Sequence, residues 1–174
     1  MLDIDNLSKE DIYKVMFQQL YVLNWWYFKF EDLIKVNAPE ILGSEGFRKL
    51  CEDSGALEAK ALSKAFDMTV NDIDGFIKLL RFSHWHVFEQ FEVEKLTNKS
   101  CRMRIIDCSA QRAAKKRGMG HYDCAEITLR CLRGFCRSVN PDAFIRKVFA
   151  PPQAVPDGIP ETVSCEWMIS IEAT

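Results

Sequence analysis

Apolar residues recur every three or four positions from Ile12 to Ile34, and after Trp85 the pattern changes to alternation. The first rhythm predicts helix and the second predicts strand. The N-terminal pattern predicts one long helix. Ser8 is placed to cap it, Glu10 and Asp11 fill its first turn, and Leu7 can staple onto Ile12. Asn37 and Pro39 stop it just after Val36. Ile12, Val15, Leu23, Trp26, Phe30 and Leu33 mark one stripe, while Tyr13, Phe17, Tyr21, Trp25 and Phe28 lie outside it. A helix apolar nearly all round needs cover on both sides. It is either a homodimer surface or cavity wall, or a core helix wrapped by its own chain.

A second helical region runs from about Ser44 to Phe66, with a break expected near Ser54-Gly55. A shorter one, Asn71 to Phe82, takes Asn71 as its cap. Alternation then predicts a strand from Trp85 to Leu96, a turn over Thr97–Ser100, and a return strand from Cys101 to Asp107. Pairing Val93 with Met103 sets Glu94 beside Arg102 and Glu92 beside Arg104, opposite charges that fix a register. The same register brings Glu89 opposite Asp107. These carboxylates either share a proton, hold a cation or line a polar pocket, or a bulge turns them to water.

Next come Gln111, Arg112, Lys115, Lys116 and Arg117, then Gly118 and Gly120. This is either one solvated helical turn or a flexible lid that presents cations to an anionic ligand. Asp123 and Glu126 are spaced as a capping box for a helix reaching about Val139. Cys124 would then be the first helical residue, where the positive dipole end favours a thiolate. Ala143–Phe149 is a third strand, 150–160 a proline-rich loop, and Val163–Ile171 a fourth strand with Cys165 and Trp167 inward. The fold class is α+β: long N-terminal helices packed with a C-terminal β-β-α-β-β region, its four strands forming an antiparallel sheet. Residues 1–82 form the helical region and 83–174 the α+β region, together one compact domain.

Composition narrows the partners. The chain has 174 residues, 48% hydrophobic and 28% charged, with a net charge of −2. That balance argues against a general nucleic-acid binder. No apolar run reaches the length of a membrane span, and Met1–Asp5 has no leader character. A cytoplasmic chain is expected. Seven cysteines cannot all pair within one chain, and no Cys-x-x-Cys is present, so free thiols are expected.

Three of those thiols gather the candidate chemistry. Cys108 ends a strand, Cys124 begins a helix, and Cys165 lies on the last strand. With Glu89, Asp107 and Arg112 they form the candidate ligand-binding set. As metal candidates, Cys108, Cys124 and Cys165 would suit zinc or another thiolate-bound ion. As a nucleophile, Cys124 would need a base such as His121. Inert core packing is the competing explanation for all three.

The set Glu58-Ala59-Lys60, Glu92-Val93-Glu94, Asp107-Cys108 with Gln111 and Arg112, Gly118, Cys124, Cys165-Glu166-Trp167 and Asn24-Trp25-Trp26 resembles an uncharacterised family of small prokaryotic cytosolic proteins. More distantly, Cys124, Cys165-Glu166-Trp167 and the β-β-α-β-β order resemble aminothiazoline-carboxylate hydrolase-like and vinyl-reductase-type small-molecule-binding domains. The resemblance implies a ligand-binding α+β domain with a cysteine-associated metal among its options. The closer family commonly carries a cysteine before the proline-rich loop; Arg146–Ala150 has none here. The expectation is a domain binding a small, partly apolar and anionic ligand at a cysteine-lined site. A cysteine-dependent hydrolase or reductase centred on Cys124 is the enzyme alternative. A structural metal-binding or dimerisation protein is the third.

Overall fold

The 29-residue helix α1 spans Lys9–Asn37 and begins as its sequence dictates. The Ser8 hydroxyl accepts from the Asp11 amide at 3.1 Å, and the Asp11 carboxylate accepts from the Ser8 amide at 3.2 Å. The reciprocal pair satisfies two of the backbone donors a helix start leaves open. A computed structural model describes residues 8–171, apart from the side chains of Val87 and Phe88, so the expected Leu7 staple lies outside the described residues. The chain divides into two units between Phe47 and Arg48. The first holds α1 and a short 3-10 turn, Pro39–Ile41. Ion pairs Glu10–Lys14 (2.8 Å) and Glu31–Lys35 (2.9 Å) lie one turn apart near the ends of α1.

Helix α2, Glu45–Ala65, enters the second unit and has no break at Ser54-Gly55. Gly55 serves closeness instead of a kink. A Cβ there would collide with the carbonyl oxygen of Cys131, and one on Gly134 would collide with the carbonyl oxygen of Glu52. Cys131 and Gly134 lie on α6, Ala125–Val139, so two glycines let the backbones of α2 and α6 touch. Glu52 receives Arg130 at 3.0 Å and Arg133 at 3.4 Å beside this crossing.

Helix α3 covers Ile73–Leu80, and its cap is Asp72, whose carboxylate accepts from the Gly75 amide at 2.8 Å; the sequence had pointed to Asn71. Residues His84–Phe88 form a helical turn, α4, where alternation had predicted strand. Glu58 on α2 stabilises that turn, accepting the His84 amide at 2.6 Å and contacting its Nδ1 at 2.7 Å. A carboxylate on a helix's first amide offsets the weak strand periodicity of five residues.

Strands β1 (Gln90–Thr97), β2 (Ser100–Asp107), β3 (Ala143–Phe149) and β4 (Cys165–Ile171) form an antiparallel sheet in the order β1-β2-β4-β3. Val93 faces Met103, Glu92 faces Arg104 and Glu94 faces Arg102, the register the charges predicted. Arg102 is ion-paired with Glu94, whereas Arg104 reaches the other way, to Glu166 on β4 at 2.6 Å. One face of the sheet is apolar. Met103, Ile105, Ile145 and Trp167 are buried with Phe76 and Leu80 of α3 and Phe135 of α6. The fold is therefore α+β.

Candidate functional site

Strand β2 ends at Asp107, and Cys108 follows as the N-cap of a two-turn helix, α5, Ser109–Lys116. Of the two readings of the basic run, the helical one holds for most of it: Arg112, Lys115 and Lys116 lie on α5, and Gly118 and Gly120 follow it with φ of 71° each. Cys108 makes no side-chain cap bond. Glu89 supplies that cap, accepting from the Ser109 amide at 2.6 Å and its hydroxyl at 2.7 Å. Two donors aimed at one carboxylate fix the start of α5 against the beginning of β1.

Glu89 and Asp107 do not face each other across the ladder. A bulge between Gln90 and Phe91 sets Gln90 opposite Asp107. Asp107 is exposed and ion-paired with Arg112. Burial raises the Glu89 carboxyl above the ordinary range, and the Ser109 bonds and Arg112 pull it back only in part. The two carboxylates therefore do separate work: one caps a helix, the other holds a cation.

Cys124 is the N-cap of α6, with Ala125 the first helical residue, and it makes no side-chain cap bond. The capping box expected from Asp123 and Glu126 does not form at this terminus, because Cys124 occupies the cap position one residue later. Glu126 turns to Arg130 at 2.8 Å instead. The approach to α6 is held by Gln111. Its amide nitrogen donates to the Tyr122 carbonyl at 2.7 Å and its oxygen accepts from the Tyr122 amide at 3.0 Å. That bracket ties α5 to the segment before α6, and the same nitrogen lies 3.8 Å from the Cys124 sulfur. Gln111 does what a strand neighbour would do. Its side chain reaches backbone eleven positions away, so no local pattern marks it.

Burial raises the Cys124 thiol above its ordinary value, while bonds from Thr128 and Gln111 lower it. Burial thus works against the thiolate expected at this helix start. His121 lies on the exposed loop before α6, and its amide donates to the Met119 carbonyl at 2.7 Å.

Cys165 opens β4 and is buried. The indole Nε1 of Trp167 donates to its sulfur at 3.2 Å. Burial pushes the thiols of Cys108 and Cys165 up to about 12. A charge on Cys165 would also be opposed by Cys124, Cys108 and Glu89. Three thiols and a carboxyl from separate elements thus share one electrostatic neighbourhood. Among the described residues, no group of three or more His, Cys, Asp or Glu side chains stands close enough to hold a metal ion.

Sequence reasoning missed a second thiol pair. Cys51 on α2 and Cys131 on α6 are hydrogen-bonded at the glycine crossing, which lowers the Cys51 thiol and raises that of Cys131. Ser54 adds a contact to the Cys131 sulfur at 3.8 Å. Glu58 was noticed only as part of a resemblance, and its hold on His84 has no local signature.

No curated protein and no solved structure matches the chain. A family model described as "Family of unknown function (DUF6125)" matches residues 7–171. That span takes in every element described above, from α1 to β4, and the chain belongs to this family, DUF6125.

Proposed function

We propose that the protein binds a small, partly apolar molecule beside Cys108, Cys124 and Cys165, with anionic groups of the ligand met by the cations of α5. The observation that carries this reading is the charge repulsion linking Cys165 to Cys108, Cys124 and Glu89, which stand at the start of β4, at two helix starts and just before β1. Thiols raised by burial are neutral at pH 7 and behave as soft apolar surface, suited to contact and not to nucleophilic attack. That supports ligand binding over the Cys124-centred hydrolase or reductase.

The test is a thermal-shift screen of apolar carboxylates on the full chain. A hit should stabilise the wild type. It should lose its effect in Cys124→Leu and Cys165→Leu, yet keep it in Cys131→Ala, whose thiol lies at the α2–α6 crossing. A hit that protects all variants alike would place the ligand elsewhere and sink the reading.

A further inference from the structure

Along α1, Ile12, Val15, Val22, Trp26, Leu33 and Val36 fall on a heptad seam, spaced alternately three and four apart once two polar members, Gln19 and Lys29, are included. Met16, Leu23 and Phe30 widen the same face. These side chains stand out from the surface: Leu23 is 64% exposed, Trp26 51%, Phe30 55%, Leu33 59% and Val36 81%. Nine such side chains, each about half exposed, present on the order of 1,000 Å² of apolar surface. That exceeds the roughly 300–600 Å² of the largest patch on a typical monomer. It also exceeds the ~800 Å² that one partner contributes to a stable interface.

Charge selects the occupant. No charged residue lies between Lys14 and Lys29, and each end is balanced, with Lys9, Glu10, Asp11 and Lys14 before the gap and Lys29, Glu31, Asp32 and Lys35 after it. An anionic membrane surface would call for a basic polar face, which this helix lacks. A strongly charged partner would find nothing to steer it. A heptad seam fits another heptad seam, and every copy of the chain carries one.

We propose that α1 pairs antiparallel with α1 of a second copy. Centred at the level of Asn24, the seams bring Ile12 against Val36, Val15 against Leu33, and Val22 against Trp26. The two polar members then meet each other, Gln19 of one copy against Lys29 of the other, twice over. A parallel pair in register would instead set Lys29 beside Lys29 in an apolar seam, where like charges repel.

Sedimentation of the full chain tests this. The expected species has twice the 20.1 kDa chain mass. Trp26→Glu should weaken pairing at least about a hundredfold, with far-UV circular dichroism retained. The orientation is read from Gln19, which needs no fold-disrupting change. Gln19→Glu should tighten the pair about fivefold by facing Lys29, and Gln19→Lys should loosen it about as much. A monomer at about 100 μM, far above a typical specific dimer's Kd, overturns the proposal. So does a monomer that binds phosphatidylglycerol vesicles, or a Gln19→Glu variant that pairs more weakly.

Discussion

The indole N–H of Trp167 donates to the sulfur of Cys165, two residues earlier on the same face of β4, at 3.2 Å. Both side chains are buried, so the donor and the thiol have satisfied each other inside the core. Trp167→Phe should cost about 3 kcal/mol, from the smaller ring and the orphaned sulfur contact. It should also raise the Cys165 thiol further, because the lost bond favours the charged form. Urea unfolding checks the first effect and alkylation kinetics the second.

Thiol reactivity should separate sharply by state. Cys108 and Cys165, pushed up to about 12, have almost no thiolate at pH 8. Iodoacetamide should modify them more than about tenfold slower in the native chain than in urea, where thiols titrate near 8.5. Peptide-resolved mass spectrometry gives the answer residue by residue. Fast native labelling of Cys124 would revive its reading as a nucleophile.

Glu89 predicts a pH effect with a definite sign. Its folded carboxyl titrates above the ordinary 4.5, chiefly through burial. The contribution to stability is therefore fully present below about pH 4.5 and is lost as pH rises through the raised folded value. Relative to Glu89→Gln, the wild type should lose unfolding free energy between pH 4 and pH 7. Chemical denaturation of both proteins across that window measures the difference. A difference that grows with pH would show that the Ser109 bonds outweigh burial.

Gly55→Ala should destabilise the protein by about 3 kcal/mol, as an overpacked contact with no flexible neighbour to yield. The colliding atom is backbone, the Cys131 carbonyl, so a rotamer change gives no relief. Thermal unfolding by circular dichroism reads the loss. Gly43→Ala, with only an ordinary contact near its Cβ, should be nearly silent.

The buried Glu166 and its Arg104 partner give a coupled prediction. Glu166→Leu alone should cost about 2 kcal/mol, because Arg104 is left without its carboxylate while partly exposed to water. Adding Arg104→Met should recover most of that loss. The double-mutant cycle is read by urea unfolding.

Local chemistry explains which of these features were legible. The α1 cap and the Val93–Met103 register followed from neighbours in sequence: Ser8 with Asp11, and Glu94 with Arg102. The turn at His84–Phe88 did not, because its helical state depends on Glu58, a carboxylate from another helix. The role of Gly55 was misread for the same reason. A glycine inside a helical pattern looks like a weakness until the facing backbone of α6 is in view. At the thiol site Cys108 and Cys124 were visible as ends of elements and Cys165 as an inward strand position. Their protonation was not, since position at a helix start argues for a thiolate while burial, a tertiary property, argues against it.

The strand order has a bearing on biosynthesis. β4 holds residues 165–171 yet lies inside the sheet, between β2 and β3. Until that last strand emerges from the ribosome, β2 and β3 have nothing between them, and their open edges are exposed to other nascent chains. Trp167 and Cys165 join the buried core only after β1, β2 and β3 have been made. Joining β3 to the β1–β2 hairpin thus awaits β4, and a stop codon before Cys165 would leave β2 and β3 without the strand that bridges them.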